Sequence, residues 1–116
     1  MHNPTMPAVE LTIDGARYLL RFDFEAIATA EDIVGRSLLT GLRQQDIQAP
    51  SVSLVRAMLF ACLLAEQSIT YAEAKALVTR KNLADVWGKV LEAWTAGMVE
   101  PDEKAEQANP TEASAS

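Results

Sequence analysis

At 116 residues the chain has room for one domain and not for two. Its net charge of -6, from 10 Lys and Arg against 16 Asp and Glu, argues against DNA or RNA as a partner, because a nucleic-acid surface needs a cationic footprint. One cysteine, Cys62, leaves no intrachain disulfide, and one histidine, His2, leaves no zinc set and no Ser-His-Asp or Cys-His arrangement.

Residues 1–7 hold two prolines, no basic residue and no apolar stretch. They read as a flexible N-terminus rather than a signal peptide. From Val9 the residues alternate: Val9, Leu11 and Ile13 are apolar, and Glu10 and Thr12 polar. That period of two predicts a half-buried strand. Asp14-Gly15 accepts the positive φ angles of a tight hairpin turn. The return strand is expected from Ala16 to Phe22, with Tyr18, Leu20 and Phe22 on one face and Arg17, Leu19 and Arg21 on the other. A lone hairpin is marginal in water, so helices or another chain must cover it.

Asp23 is placed to cap a helix over Phe24–Val34, with Gly35 as its terminator. Phe24, Ile27, Ala28, Glu31 and Val34 fall on one face, flanked by Ala30 and Ile33. The stretch 37–42 reads as an apolar loop, and 43–50 as a polar connector. Ser51 or Ser53 then caps a second helix that runs to about Glu66. It is apolar nearly all round, which predicts burial on most sides and places Cys62 in the core as a small hydrophobe. Its apolar run of about 12 residues is too short to span a bilayer, which takes roughly 20. The expected location is therefore the cytoplasm.

Thr70-Tyr71-Ala72-Glu73 has the form of a capping box opening a third helix, expected to end near Arg80-Lys81. Asn82 is a cap signal for the last helix, whose stripe contains Leu83, Val86, Trp87, Val90, Leu91 and Trp94, with Gly97 as terminator. Beyond it, 99–116 turns polar. Glu100, Asp102, Glu103, Glu106 and Glu112 face only Lys104, a net of -4. This composition predicts a disordered acidic tail. The expected architecture is α+β: one domain over 8–98, with an N-terminal hairpin packed on about four helices.

No glycine loop for phosphate is present, since the five glycines are isolated. The carboxylate pairs Glu31-Asp32 and Asp102-Glu103 sit on a helix and in the tail, with no apolar pocket to raise a pKa for acid–base work. The inventory points to a binding protein with no cofactor and no metal rather than to an enzyme. Trp87 and Trp94, seven residues apart on one helix face, either close the core or present an interface hot spot. The hairpin edge either pairs with another subunit or is kept apart by Arg17 and Arg21. Leu19, on the face opposite Tyr18 and Leu20, favours a contact there.

The run Val9-Glu10-Leu11-Thr12-Ile13-Asp14-Gly15-Ala16-Arg17-Tyr18-Leu19-Leu20-Arg21-Phe22-Asp23-Phe24-Glu25-Ala26-Ile27 resembles the opening of tail assembly chaperones of long-tailed bacteriophages and of their prophage or gene-transfer-agent relatives. Gly35-Arg36-Ser37-Leu38 matches a Gly-x-Ser-Leu phrase of that family, and Ser53-Leu54-Val55-Arg56-Ala57-Met58-Leu59-Phe60-Ala61 its entry to an apolar helix. Ile69-Thr70-Tyr71-Ala72-Glu73-Ala74 is a looser match to a Leu-Thr-x-Glu-Glu start. The likeness covers about 8–98.

The resemblance implies a protein that binds the long, largely helical tape measure protein and keeps its apolar surface from aggregating. It would be displaced as tube subunits arrive and be absent from the finished tail. A frameshifted longer form would recruit the tail tube protein, and the coating form would be a homo-oligomer. Neither nucleic acid nor membrane is implied as a partner. On that reading the candidate contact residues are Leu19 on the hairpin, Leu38, Leu39 and Leu42 in the loop, and Trp87 and Trp94 on the last helix. A small adaptor or regulatory subunit of a bacterial protein complex is the alternative.

Overall fold

The computed structural model describes residues 8–98. The expected flexible start 1–7 and acidic tail 99–116 lie outside the described residues. The chain runs β1 (Val9–Ile13), β2 (Ala16–Leu20), α1 (Phe24–Val34), α2 (Gln44–Gln48), α3 (Val52–Leu64), α4 (Tyr71–Leu77) and α5 (Leu83–Met98). This is the α+β architecture of a hairpin on helices, with one helix more than the apolar periodicity shows. Among the described residues no helix is long and apolar enough to cross a membrane.

The hairpin forms where alternation and turn chemistry agree. Asp14 and Gly15 both take positive φ, 50° and 84°, as a two-residue type I′ turn requires. The register pairs Ile13 with Ala16, Leu11 with Tyr18 and Val9 with Leu20. Leu11, Ile13 and Leu20 are buried, whereas Glu10, Thr12, Arg17 and Leu19 face outward. The return strand stops at Leu20, two residues short of expectation. The Arg21 N–H leaves the sheet and donates to the Cys62 carbonyl at 3.0 Å.

Helix α3 is the centre of the molecule. It packs against α1, α4, α5 and β2. Ser51 is its cap, accepting from the Leu54 N–H at 3.1 Å. Eight of its thirteen residues are buried, on every side, as its lack of a polar stripe implies. The Cys62 thiol donates to the Leu59 carbonyl at 3.3 Å, and burial pushes its pKa well up, so it packs as an inert small hydrophobe.

The caps of α1 and α4 are those expected from the sequence. Asp23 Oδ1 accepts from the Ala26 N–H at 2.8 Å, and Gly35 ends α1 at φ 83°. Thr70 Oγ1 accepts from the Glu73 N–H at 3.1 Å while Glu73 Oε1 accepts from the Thr70 N–H at 2.8 Å, closing the capping box.

Several expectations are corrected. Residues 44–48 form a helix: Asp46 Oδ2 accepts from the Arg43 N–H at 3.0 Å and starts it. Helix α4 ends at Leu77, not at Arg80-Lys81. Asn82 reaches back to donate to the Leu77 carbonyl and accept the Thr79 N–H, each at 2.8 Å, and so closes a turn there. Phe24 does not join the core face of α1, which is built from Ala26, Ile27 and Ala30; it is 75% exposed.

Gly97 does not end α5. It lies inside the helix, where a Cβ would collide with the Phe22 carbonyl oxygen. The missing side chain lets Phe22 settle edge-on against Trp94, with centroids 5.2 Å apart at 79°. Phe22 has no solvent exposure.

The same substitution on α5 should therefore have opposite signs at two positions. A Cβ at Gly88 would stand in open space, with nothing within 4 Å, so Gly88→Ala should stabilise by about 0.5–1 kcal/mol through helix propensity. Gly97→Ala gains the same term but must displace backbone, at a cost of about 1–3 kcal/mol, and should be destabilising overall. Phe22→Ala should cost about 3–5 kcal/mol. Urea unfolding midpoints of the three variants check this ordering.

Candidate partner-binding surface

The six residues expected as partner contacts do not come together. Trp87 and Trp94 lie on the buried stripe of α5 and are only 6% and 9% exposed. Trp94 is held by Phe22. Trp87 donates its Nε1–H to the Ile47 carbonyl at 2.8 Å and so ties α5 to α2. Both tryptophans thus take the core role rather than the interface role. Leu38 is fully buried, and Leu42 is half-buried against the core. Of the six, only Leu19, at 42%, and Leu39, at 52%, are exposed.

Leu38 and Leu39 part company at a tight elbow after α1. The Glu31 carboxylate accepts the Leu38 N–H at 2.7 Å and the Leu39 N–H at 3.0 Å. Those bonds, that from Leu39 foremost, hold the Glu31 pKa below its ordinary value. Arg36 clamps the far side of the elbow. Its guanidinium donates to the Gly41 carbonyl and to Asp46 Oδ1, both at 3.0 Å. The Arg43 N–H, and then the Arg36 charge, hold the Asp46 pKa down in turn. Leu38 turns into the core and Leu39 out to solvent because the backbone between them is fixed from both sides.

Leu19 lies on the outer edge of β2, and its backbone is occupied. The Gln67 side chain accepts the Leu19 N–H at 2.7 Å and donates to the Leu19 carbonyl at 3.0 Å. Gln67 also donates to the Leu63 carbonyl at 2.6 Å. Its amide therefore stands where a third strand would bond and fixes the hairpin to the end of α3. Beside it, Arg21 lies 2.7 Å from Glu66.

Two further exposed apolar residues lie at this end of the molecule. Leu64 lines a shallow cavity of about 350 Å³ together with Asp23, Glu25 and Ala26, which places the start of α1 against the end of α3. Phe24, between Asp23 and Glu25 in the chain, is exposed but does not line that cavity. Sequence reasoning missed Phe24 because it fits the helical stripe of Ile27 and Val34. The signal that could have found it is its position directly after the cap Asp23, as the first residue of the helix. Among the described residues no group of three or more His, Cys, Asp or Glu is gathered to hold a metal ion.

The lowered Glu31 pKa has a pH consequence. Its bonds to the elbow are at full strength above the ordinary glutamate value of 4.5 and weaken as the pH falls through the lower native value. The Leu38 and Leu39 amide resonances should titrate below pH 4.5 in an NMR pH series. Glu31→Gln should abolish that titration and speed exchange of both amides. Unchanged titration in the variant would assign it to another group. Comparison of the chain with protein-family models, with curated proteins and with solved structures finds no match.

Proposed function

We propose that this protein is a non-catalytic assembly chaperone of the tail-chaperone kind, which holds an apolar, largely helical client such as a tape measure protein during phage tail assembly. Two lines support the reading. One is the resemblance of the segment from Val9 to Ile27 and of the phrases that follow it. The other, which carries it, is the exposure of Leu19, Phe24 and Leu64 on segments that meet at the end of α3, Leu19 through its bonds to Gln67 and the start of α1 through the cavity it shares with Leu64.

A chaperone needs apolar contact that is available yet reversible. Side chains on a rigid frame give it, because little ordering cost is added on binding. An exposed aromatic such as Phe24 is a residue type enriched in the cores of interfaces. Several small apolar contacts, rather than one deep pocket, suit a client that must later be released to incoming tube subunits.

Co-expression of the full chain with a long, largely helical tape measure protein, followed by size-exclusion chromatography with light scattering, tests the proposal. The expected result is a soluble, stoichiometric complex. Phe24→Ser with Leu64→Ser should cost no more than about 1–2 kcal/mol of folding stability, since Leu64 is only partly covered, and weaken the complex more than tenfold. A chain that leaves the long protein insoluble would overturn the chaperone reading and favour the adaptor role. A complex indifferent to Phe24 and Leu64 would place the contact on another face.

A further inference from the structure

The two edges of the hairpin differ. Asp14-Gly15 is a two-residue turn closed by the Ile13–Ala16 pair. The narrow, hydrogen-bonded pairs are then Ile13–Ala16, Leu11–Tyr18 and Val9–Leu20, and the intervening residues turn their backbone groups away from the ladder. On β2 this applies to Leu19, whose N–H and carbonyl are both taken by Gln67. On β1 it applies to Glu10 and Thr12. Their backbone groups have no partner among the described residues and point away from β2.

Beside that edge runs a groove of about 830 Å³, with β1 as one wall and α5 as the other. The α5 wall is formed by Asp85, Lys89, Glu92 and Ala96, which share one helix face. The two walls are of comparable length. The four steps along the five strand residues span about 13 Å at ~3.3 Å each, and the eleven steps from Asp85 to Ala96 span about 17 Å at 1.5 Å each, so the helix wall runs the full length of the strand. A strand edge with a helix alongside is the geometry in which an extended peptide adds to a sheet: main-chain bonds give affinity and the helix wall reads alternate side chains.

The charges select the occupant. Glu10, Asp85 and Glu92 stand against Lys89 alone on the groove walls. Glu92 is paired with Lys89 at 3.4 Å and Glu10 with Arg17 across the strands, which leaves Asp85 without an ion-pair partner among the described residues. We infer that the β1–α5 groove binds an extended segment of a partner protein carrying Lys or Arg at alternate positions, as an added strand against Glu10 and Thr12. A second copy of β1 would bring the same carboxylates face to face, and the acidic residues 99–116 of this chain would meet them with like charge. The inference is independent of which client the chaperone reading names.

The probe is a five-residue capped peptide alternating Val and Lys, with its Val/Glu counterpart as control, titrated into the ¹⁵N-labelled full chain. Saturable shifts are expected at Glu10, Thr12, Lys89 and Glu92 with the Lys peptide, together with an at least tenfold slowing of hydrogen exchange at the Glu10 and Thr12 amides. Thr12→Pro removes an outward N–H and no ladder bond, and should abolish binding. Asp85→Lys with Glu92→Lys, both at exposed positions, should reverse the preference to the Glu peptide and keeps the test open if the proline variant does not fold. Absence of saturable shifts, or an equal response to both peptides, would overturn the inference. So would protection of the Glu10 and Thr12 amides in the free protein, which would mean that this chain or a second copy already covers the edge.

Discussion

Everything in this fold is arranged around the burial of α3. A thirteen-residue helix with apolar side chains on all sides cannot stand on the surface, because each buried Leu, Val or Met contributes roughly 1.5–3 kcal/mol only when it is covered all round. Helices α1, α4 and α5 and strand β2 supply that cover. The same burial raises the problem of the last carbonyls of α3, which have no partner within the helix. The turn that follows α3 and the residue after β2 solve it. The Arg21 N–H satisfies the Cys62 carbonyl, and Leu63 accepts from Glu66, Gln67 and the Gln67 side chain. The junction of sheet and helix is thus set by orphaned backbone groups as much as by apolar contact.

The parts of the fold legible in the sequence are those where local chemistry and burial agree. Alternation and Asp14-Gly15 mark the hairpin; Asp23 and Gly35 bracket α1; Thr70 and Glu73 open α4. The parts that are not legible are those fixed from far along the chain. Helix α2, with the sequence QQDIQ, has no apolar face to reveal it; Asp46 starts it and the Trp87 indole, forty residues on, bonds to it. Asn82 has the form of a forward cap, yet its side chain points back to Thr79 and Leu77. Gly97 looks like a stop because glycine is poor in helices; its actual work is to let Phe22 approach, which no local pattern encodes.

The contact residues show the same limit. Leu38 and Leu39 are adjacent and chemically identical, and the elbow fixed by the Glu31 carboxylate on one side and Arg36 on the other decides which of them is core and which is surface. Trp87 and Trp94 follow a stripe that would look the same on a core face or on an interface. Sequence periodicity identifies a face; what covers the face is a tertiary fact.

Gln67 has one further consequence. A two-stranded sheet with both edges free could in principle grow from either side, and each subunit added would offer a new edge to the next. Here a side-chain amide plugs one edge from within, so the sheet has a valence of one. Any strand it accepts, from whatever source, ends the addition on that subunit. Whatever pairs with the sheet cannot propagate along it, and edge-to-edge fibre growth is closed off by a single residue just past the end of a helix.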